Sequence, residues 1–204
     1  MNEQDGTQSS TKQRRSRTTT KQNSKTPALK HPINDDREAW IAYWKEQGQS
    51  WRTEPEIDAE RQTFLAERRS ITPDIKGIYP FRGIKLSRAD IEWLLATHEN
   101  GHGPIDWSDT TQRGRDGLDL RGSNLQGIDL HSLPLAKVRG GVRGEDWVAA
   151  TREQRHIAAV HWEGCNLRWA RLEGSTFTCA HLEGADLREA RLEGADLNLS
   201  LIHI

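Results

Sequence analysis

Large apolar residues recur at every fifth position through most of the C-terminal half of the chain. The pattern divides the sequence into four five-residue units at 118–137 and eight more at 160–199. The second residue is Asp, Asn, Arg or His in every unit except those with Pro134 and Thr176, and the first is small or apolar throughout. The third residue is always large and apolar: Leu120, Leu125, Leu130, Leu135, Trp162, Leu167, Leu172, Phe177, Leu182, Leu187, Leu192 and Leu197.

This spacing is incompatible with a helix and suits a very short strand followed by a corner. Five residues of α-helix advance by roughly 500°, so a period of five cannot keep one helical face. On a strand, alternate side chains point to opposite sides, which turns positions one and three inward and position two outward. Glycine at the fifth position, as in Gly122 and Gly164, suits a tight corner. We therefore expect a mainly β solenoid with a thin apolar core, with Glu173 on its surface.

The unit resembles the repeat of the pentapeptide-repeat family, whose pattern is A-(D/N)-L-x-x, over residues 118–137 and 160–199. The resemblance implies a protein of bacterial type that folds as a right-handed quadrilateral β-helix with four units per coil. One coil then precedes an interruption at 138–159 and two follow it, which places Leu120 beneath Trp162 and Leu182, and Leu135 beneath Phe177 and Leu197.

The interruption at 138–159 has a different pattern from the units on either side. Thr151 and Gln154 have the spacing of a capping box, and Ile157 and Ala158 follow. This predicts a helical insert that leaves and returns at one corner of the β-helix.

The N-terminal part of the chain divides into segments of different composition. Residues 1–33 contain little that can be buried, which predicts a disordered basic tail. Residues 1–30 carry a net charge of +5, compatible with a solubilising role or with weak binding of nucleic acid. Apolar spacing and a capping box at Ser87–Asp90 predict a helical unit over 34–104. Residues 105–137 then provide a leading segment and the first coil.

Composition narrows the possible classes of protein. Apolar residues make up 34% of the chain and the mean hydropathy is -0.83, which argues against one large core but is enough for a thin column. No apolar run is long enough for a membrane span or a secretory signal. With Cys165 and Cys179 as the two cysteines, we expect free thiols in a reducing cytoplasm.

The C-terminal residues 199–204 leave the repeat pattern. Their sequence, LSLIHI, matches one reading frame of the transposon-end sequence used in preparing sequencing libraries. We therefore predict that 200–204, and already Leu199, are a non-native end produced by truncation, and that the natural protein continues with further coils. The alternative is an apolar cap over the open end of the β-helix.

Two groups of histidines are candidates for metal chemistry. His98 to His102 match the H-E-x-x-H motif, in which two histidines one helical turn apart bind zinc. Gly101 and Gly103-Pro104 are expected to end the helix before His102, so we predict no zinc site there. His161 and His181 are expected to stack on one face beside glutamates. A metal site and a solvated ladder both fit this second pair, and the sequence favours the ladder.

These observations favour a non-enzymatic scaffold or protein-protein interaction module, because repeat solenoids offer extended surfaces rather than pockets. We predict no catalytic residues, no cofactor, no resident metal and no membrane contact, with another protein as the partner and the oligomeric state left open. The family resemblance also suggests a DNA mimic that binds topoisomerases. Residues 160–199 carry seven acidic residues and four arginines, however, which is a mixed surface. A zinc-dependent hydrolase is the remaining alternative.

Overall fold

The computed structural model describes residues 31–33 and 35–201. The predicted disordered tail lies outside the described residues apart from its last three positions, and so do residues 202–204. The helices are α1 (Arg37–Glu46), α2 (Ala59–Arg69), α3 (Arg88–Ala96), α4 (His98–Gly101), a 3₁₀ turn (Thr110–Gly114), α5 (Gly144–Ala149) and α6 (Arg152–Ala158). No helix among the described residues is both long enough and apolar enough to cross a membrane.

The repeat region winds into a column whose successive coils pair in parallel. His161 bridges His181 and Arg171 bridges Arg191, in both cases 20 positions apart. The Trp162 N–H donates to His181 O at 2.8 Å, and the His181 N–H donates to Val160 O at 3.0 Å. Because each unit turns a corner after three residues, the strands reduce to isolated bridges.

Four units complete one coil, so the column has four faces, which we number by their outward second-position residues. These are Asn124, His161 and His181 on face 1; Asp129, Asn166 and Asp186 on face 2; Pro134, Arg171 and Arg191 on face 3; and Asp119, Arg139, Thr176 and Asp196 on face 4.

The predicted stacking across the interruption is wrong by one unit. Asn124 bridges His161, so Leu125 rather than Leu120 shares a face with Trp162 and Leu182. Leu135 likewise shares face 3 with Leu172 and not with Phe177. Arg139 bridges Thr176, which makes 138–142 a further unit of the coil.

The overlooked unit at 138–142 explains the error. Its third position is Gly140, which carries no apolar side chain and therefore hid the unit in the sequence pattern. Bridges across the interruption join residues 37 positions apart instead of 20. The inserted segment is therefore the 17 residues 143–159, which contain α5 and α6.

The column begins earlier than the repeat pattern indicates. Lys85 bridges Asn124, and the Leu86 N–H donates to Asn124 O at 3.0 Å. Leu86 is completely buried. Residues 84–86 thus form a rung on face 1 below the first coil, and the helical unit is continuous with the β-helix.

Helix α3 follows that rung directly and covers the lower end of the column. The capping box predicted at its start is confirmed: Ser87 Oγ accepts from the Asp90 N–H at 3.2 Å, and Asp90 Oδ2 accepts from the Ser87 N–H at 2.7 Å. Ile91, Leu94 and Leu95 of α3 belong to the same buried cluster as the leucines of the coils. The N-terminal helices and the column therefore share one core.

A buried ion pair within α3 also contacts face 2. Arg88 Nε lies 2.8 Å from Glu92 Oε1, and Arg88 Nη1 donates to Asp129 O at 3.0 Å. The Glu92 carboxylate, which is fully buried, accepts hydrogen bonds from the Thr53 and Glu54 N–H groups at 3.0 Å. These hydrogen bonds join α3 to face 2 and to the segment between α1 and α2.

The predicted core side chains fall into two groups by burial. Those from Leu120 to Leu182 are all less than 2% exposed. Leu187, Leu192 and Leu197 of the last coil are only partly buried. The pairing itself continues beyond Asn198, because His181 bridges Leu201. The proposal that the terminal residues are non-native stays a prediction.

The inserted helices pack beside the corner between faces 4 and 1. The Thr151–Gln154 capping box is formed at the start of α6. Ala150 and Ala158 are buried in a small cluster with Val142 and Tyr79. The insertion therefore contacts the segment before α3 as well as the coil.

Candidate functional site

The loop that follows α4 covers face 3. The Trp107 ring lies so close to Gly174 that a Cβ there would come within 2.7 Å of it. Arg171 Nη2 donates to Asp106 Oδ1 at 2.9 Å. Hydrogen bonds from the Ser108 hydroxyl and from Arg171 lower the pKa of Asp106 from 3.8 to about 2. Part of face 3 is thus an internal contact of the protein, while Arg191 at its upper end stays 57% exposed.

Glu173 lies beneath this cover, and its expected place on the surface is wrong. The residue is 0% exposed, and its Oε1 lies 3.0 Å from Arg191 Nε and 3.8 Å from Arg171 Nε. The repeat pattern describes only the coil. It carries no information about the loop, which reaches Glu173 from some 65 residues earlier.

Face 4 is also partly covered. Thr176 stands at an outward second position but is buried. Thr178 Oγ1 donates to Val142 O, the last residue before the insertion, at 2.5 Å. On faces 1 and 2, by contrast, every second-position residue of the coils is at least partly exposed.

Face 2 presents paired charges and ends in an exposed tryptophan. Arg188 donates to Asp186 through Nε at 2.8 Å and Nη2 at 2.6 Å, and this hydrogen bonding lowers the pKa of Asp186 to about 2. Trp169, at the corner between faces 2 and 3, is 49% exposed, and the Arg168 guanidinium lies 4.2 Å from its ring centroid. Sequence reasoning missed Trp169, although a tryptophan at a corner position was a visible signal.

Trp169 is held in a backbone conformation that side chains rarely adopt. Its φ is 56°, and its N–H donates to Arg188 O at 3.2 Å. Left-handed backbone at a bulky residue is costly and persists when the surrounding structure imposes it. The coil hydrogen bonds supply that constraint, so the ring is presented from a rigid corner.

Face 1 carries the predicted histidine ladder. The His161 and His181 rings are stacked, with centroids 4.5 Å apart and an interplanar angle of 7°. His161 Nδ1 lies 3.0 Å from Glu163 Oε1, which also accepts from Gln126 Nε2 at 2.9 Å. Burial raises the pKa of Glu163, but the hydrogen bonds from His161, its own backbone and Gln126 outweigh it, so the pKa is lowered overall.

The H-E-x-x-H segment does not form one continuous helix. Glu99 and Asn100 have φ values of 45° and 59°, outside the helical region. His98 Nε2 lies 2.7 Å from Asp116 O, and His102 Nδ1 lies 2.5 Å from Glu99 O. The two rings therefore contact different backbone carbonyls instead of projecting together from adjacent turns.

Both thiols are free and buried. Cys165 Sγ donates to Leu125 O at 2.8 Å, and burial raises its pKa to about 12. Burial also raises the pKa of Cys179. Because the thiolate is the nucleophilic form, neither environment activates the sulfur.

Comparisons with known proteins bear on the repeat region. No curated protein matches the chain. One similar solved structure is a pentapeptide repeat protein, Rfr23, from the cyanobacterium Cyanothece 51142, with 22% identity over 38% of this chain and 37% of that chain and a TM-score of 0.20. Another is HetL from the cyanobacterium Nostoc sp. strain PCC 7120, a pentapeptide repeat protein involved in heterocyst differentiation regulation, with 29% identity, 40% and 35% coverage and a TM-score of 0.19. The chain thus spans little more than a third of the length of either protein.

The family comparison agrees with the coil geometry. The model of pentapeptide repeats matches residues 165–201 with eight copies, and this match implies the right-handed sense of the β-helix. Within the matched segment the bridges recur every 20 residues, as between Asn166 and Asp186 or Arg171 and Arg191. The comparison thus identifies residues 165–201 as pentapeptide repeats.

Proposed function

We propose that the protein is a non-enzymatic scaffold that binds another protein through face 2 and the Trp169 corner. The observation that carries this proposal is the half-exposed Trp169 ring with Arg168 against it, beside an open face. Tryptophan and arginine are enriched among residues that dominate the energy of protein interfaces. Their rigid presentation lowers the entropy lost on binding.

The surrounding surface suits the rim of such an interface. Asn166 Nδ2 donates to Asp129 Oδ1 at 2.9 Å, and Asp186 is paired with Arg188. These hydrogen-bonded polar groups are held on a flat, backbone-bridged face. A partner that covers Trp169 would meet a polar border of mixed charge around one aromatic anchor, which is the usual anatomy of an interface.

The two alternative functions have less support. A DNA mimic needs sustained negative charge, whereas Glu173 is buried against Arg191 and Asp186 is neutralised by Arg188. A zinc hydrolase built on His98 and His102 needs both rings on one helical face, and α4 does not provide that arrangement.

Site-specific photo-crosslinking in an extract of the source organism tests the proposal. A photoreactive phenylalanine analogue replaces Trp169 in one preparation and Val148 in the other. Val148 is the matched control because it is 81% exposed on the insertion, away from face 2. We expect a protein that is captured from position 169 and not from 148.

Binding between purified proteins then decides the outcome. We expect Trp169→Ala to weaken the affinity for the captured protein about 30-fold or more, as for a residue that contributes at least ~2 kcal/mol, while Val148→Ala leaves it unchanged. Capture of the same proteins from both positions, or an unchanged affinity in Trp169→Ala, contradicts the proposal. A topoisomerase whose binding does not depend on Trp169 would favour the DNA mimic.

A further inference from the structure

We propose that face 1 contains a divalent metal site, suited to zinc, formed by His161, His181 and Glu163. One nitrogen of each ring and one carboxylate oxygen lie within 4.8 Å of one another. No other group of three such side chains in the described part of the chain comes this close. Two imidazoles and one carboxylate form a donor set that zinc takes in proteins, with the fourth position open to water.

The coil geometry brings these ligands together. The bridge between His161 and His181 sets the two histidines one strand spacing apart, about 4.8 Å. Glu163 lies two residues after His161, at the corner of the same unit. Backbone pairing thus fixes where the three ligands leave the main chain on one face, and the side chains have to reorient to bind an ion.

The Glu163 carboxylate provides a second observation that points to a cation. Its Oε2 is a buried atom without a hydrogen-bond partner among the described residues. A buried carboxylate oxygen without a partner is costly, and a divalent ion on this face would relieve that cost. Gln126 orients the Glu163 carboxylate through its 2.9 Å hydrogen bond, the role of an outer partner in metal sites.

Binding requires one ring to leave the stack. The lone pair of an imidazole lies in the plane of its ring, so two rings that are parallel to within 7° cannot both direct a nitrogen at one ion between them. Tetrahedral zinc also needs its donors about 3.3 Å apart, given zinc-to-ligand distances of about 2.0 Å. The His161 and His181 side chains are 38% and 24% exposed, which leaves room for a ring rotation.

Calorimetric titration of Zn²⁺ into the full chain, first stripped with a chelator, tests the site near neutral pH. We expect one equivalent to bind, Tm to rise, and the NMR signals of both histidine rings to shift together. Because loss of an outer partner alone costs 10–100-fold in affinity, we expect His161→Gln and His181→Gln each to weaken binding by about 100-fold or more. Gln126→Ala should weaken it about tenfold.

The matched control is His98→Gln, which removes a histidine of the other candidate motif and should leave zinc affinity unchanged. Circular dichroism of each apo variant checks that the coil is intact, and Glu163→Gln provides a second variant if a histidine substitution unfolds the protein. Absence of zinc binding overturns the proposal, and His161 and His181 are then a solvent-exposed stack without a metal. Equal affinity in the wild type and His161→Gln, or a loss confined to His98→Gln, overturns it as well.

Discussion

Gly140 occupies a third position, where all twelve units recognised in the sequence place a large apolar side chain. The space above it is taken by Phe177, whose ring packs against Trp162 with centroids 4.9 Å apart. A Cβ at Gly140 would lie 2.7 Å from Val160 Cγ1 and 3.0 Å from Phe177 Cδ1. Phe177 and Val160 are therefore accommodated by the absence of a side chain at Gly140.

Gly140→Ala should lower the free energy of unfolding by about 1–3 kcal/mol, the usual cost of an extra methyl group in a packed core. Replacing Phe177 with Leu in the same chain should recover part of that loss, because it removes one of the two clashing groups. Gly114→Ala is the control, since a Cβ there meets nothing within 4 Å. Chemical denaturation measures all three variants, and equal stability of Gly140→Ala and Gly114→Ala would contradict this packing.

At the scale of elements, the insertion shows how a solenoid tolerates additional sequence. Helices α5 and α6 have six and seven residues, too few to be stable in isolation. Their buried alanines pack against Val142 and Tyr79. Because the chain returns to face 1 at Val160, the coils on either side keep a common register.

Deleting residues 143–159 should preserve the β-helix, whereas deleting 138–159 should not. The shorter deletion, made together with Val142→Gly so that the fifth position can turn the corner, restores the 20-residue coil. The longer one also removes the Gly140 unit, moves later coils by one face, and sets Trp162 above Leu120. We expect cooperative thermal unfolding only after the shorter deletion. Similar Tm values for the two deletions would contradict the pairing of Asn124 with His161.

At the scale of the molecule, the N-terminal part holds the column at two places. Helix α3 covers its lower end through the shared core. The loop after α4 covers face 3 through Trp107 and the Asp106–Arg171 ion pair. Apart from the contact of Arg88 with Asp129 at the lower edge of face 2, the second-position residues of faces 1 and 2 stay at least partly exposed, which is why the interaction surface and the metal site are both proposed there.

The loop contact should make stability depend on acid. The pKa of Asp106 is lowered from 3.8 to about 2 in the folded protein. The carboxylate therefore stabilises the fold above its ordinary pKa, and this contribution is lost as the pH falls through about 2. As the pH falls from 3.8 to about 2, the Tm of Asp106→Asn should consequently decrease less than the Tm of the wild type.

A direct NMR titration separates this effect from those of other carboxylates. Arg171→Gln removes one of the two hydrogen-bonding partners and should raise the pKa of Asp106 toward its ordinary value. Arg168→Gln changes an arginine of the same coil that does not contact Asp106, and it should leave that pKa unchanged. An Asp106 pKa that is the same in the wild type and both variants would contradict the claim that Arg171 lowers it.

Features that depend on local geometry could be predicted from the amino-acid sequence alone. The inward third positions and the turn at each fifth position follow from the alternation of a short strand and the need for a corner. The capping box at Ser87 and Asp90 was recognisable because its hydrogen bonds join residues three positions apart.

Features that depend on contacts between distant residues became visible only in the tertiary structure. The register across the insertion depends on bridges that each join residues 37 positions apart. It also depends on the unit 138–142, which the sequence pattern does not show because its third residue is Gly140. The burial of Glu173 and the coverage of face 3 come from a loop that precedes the coil, and no repeat pattern encodes which segment folds back over which face.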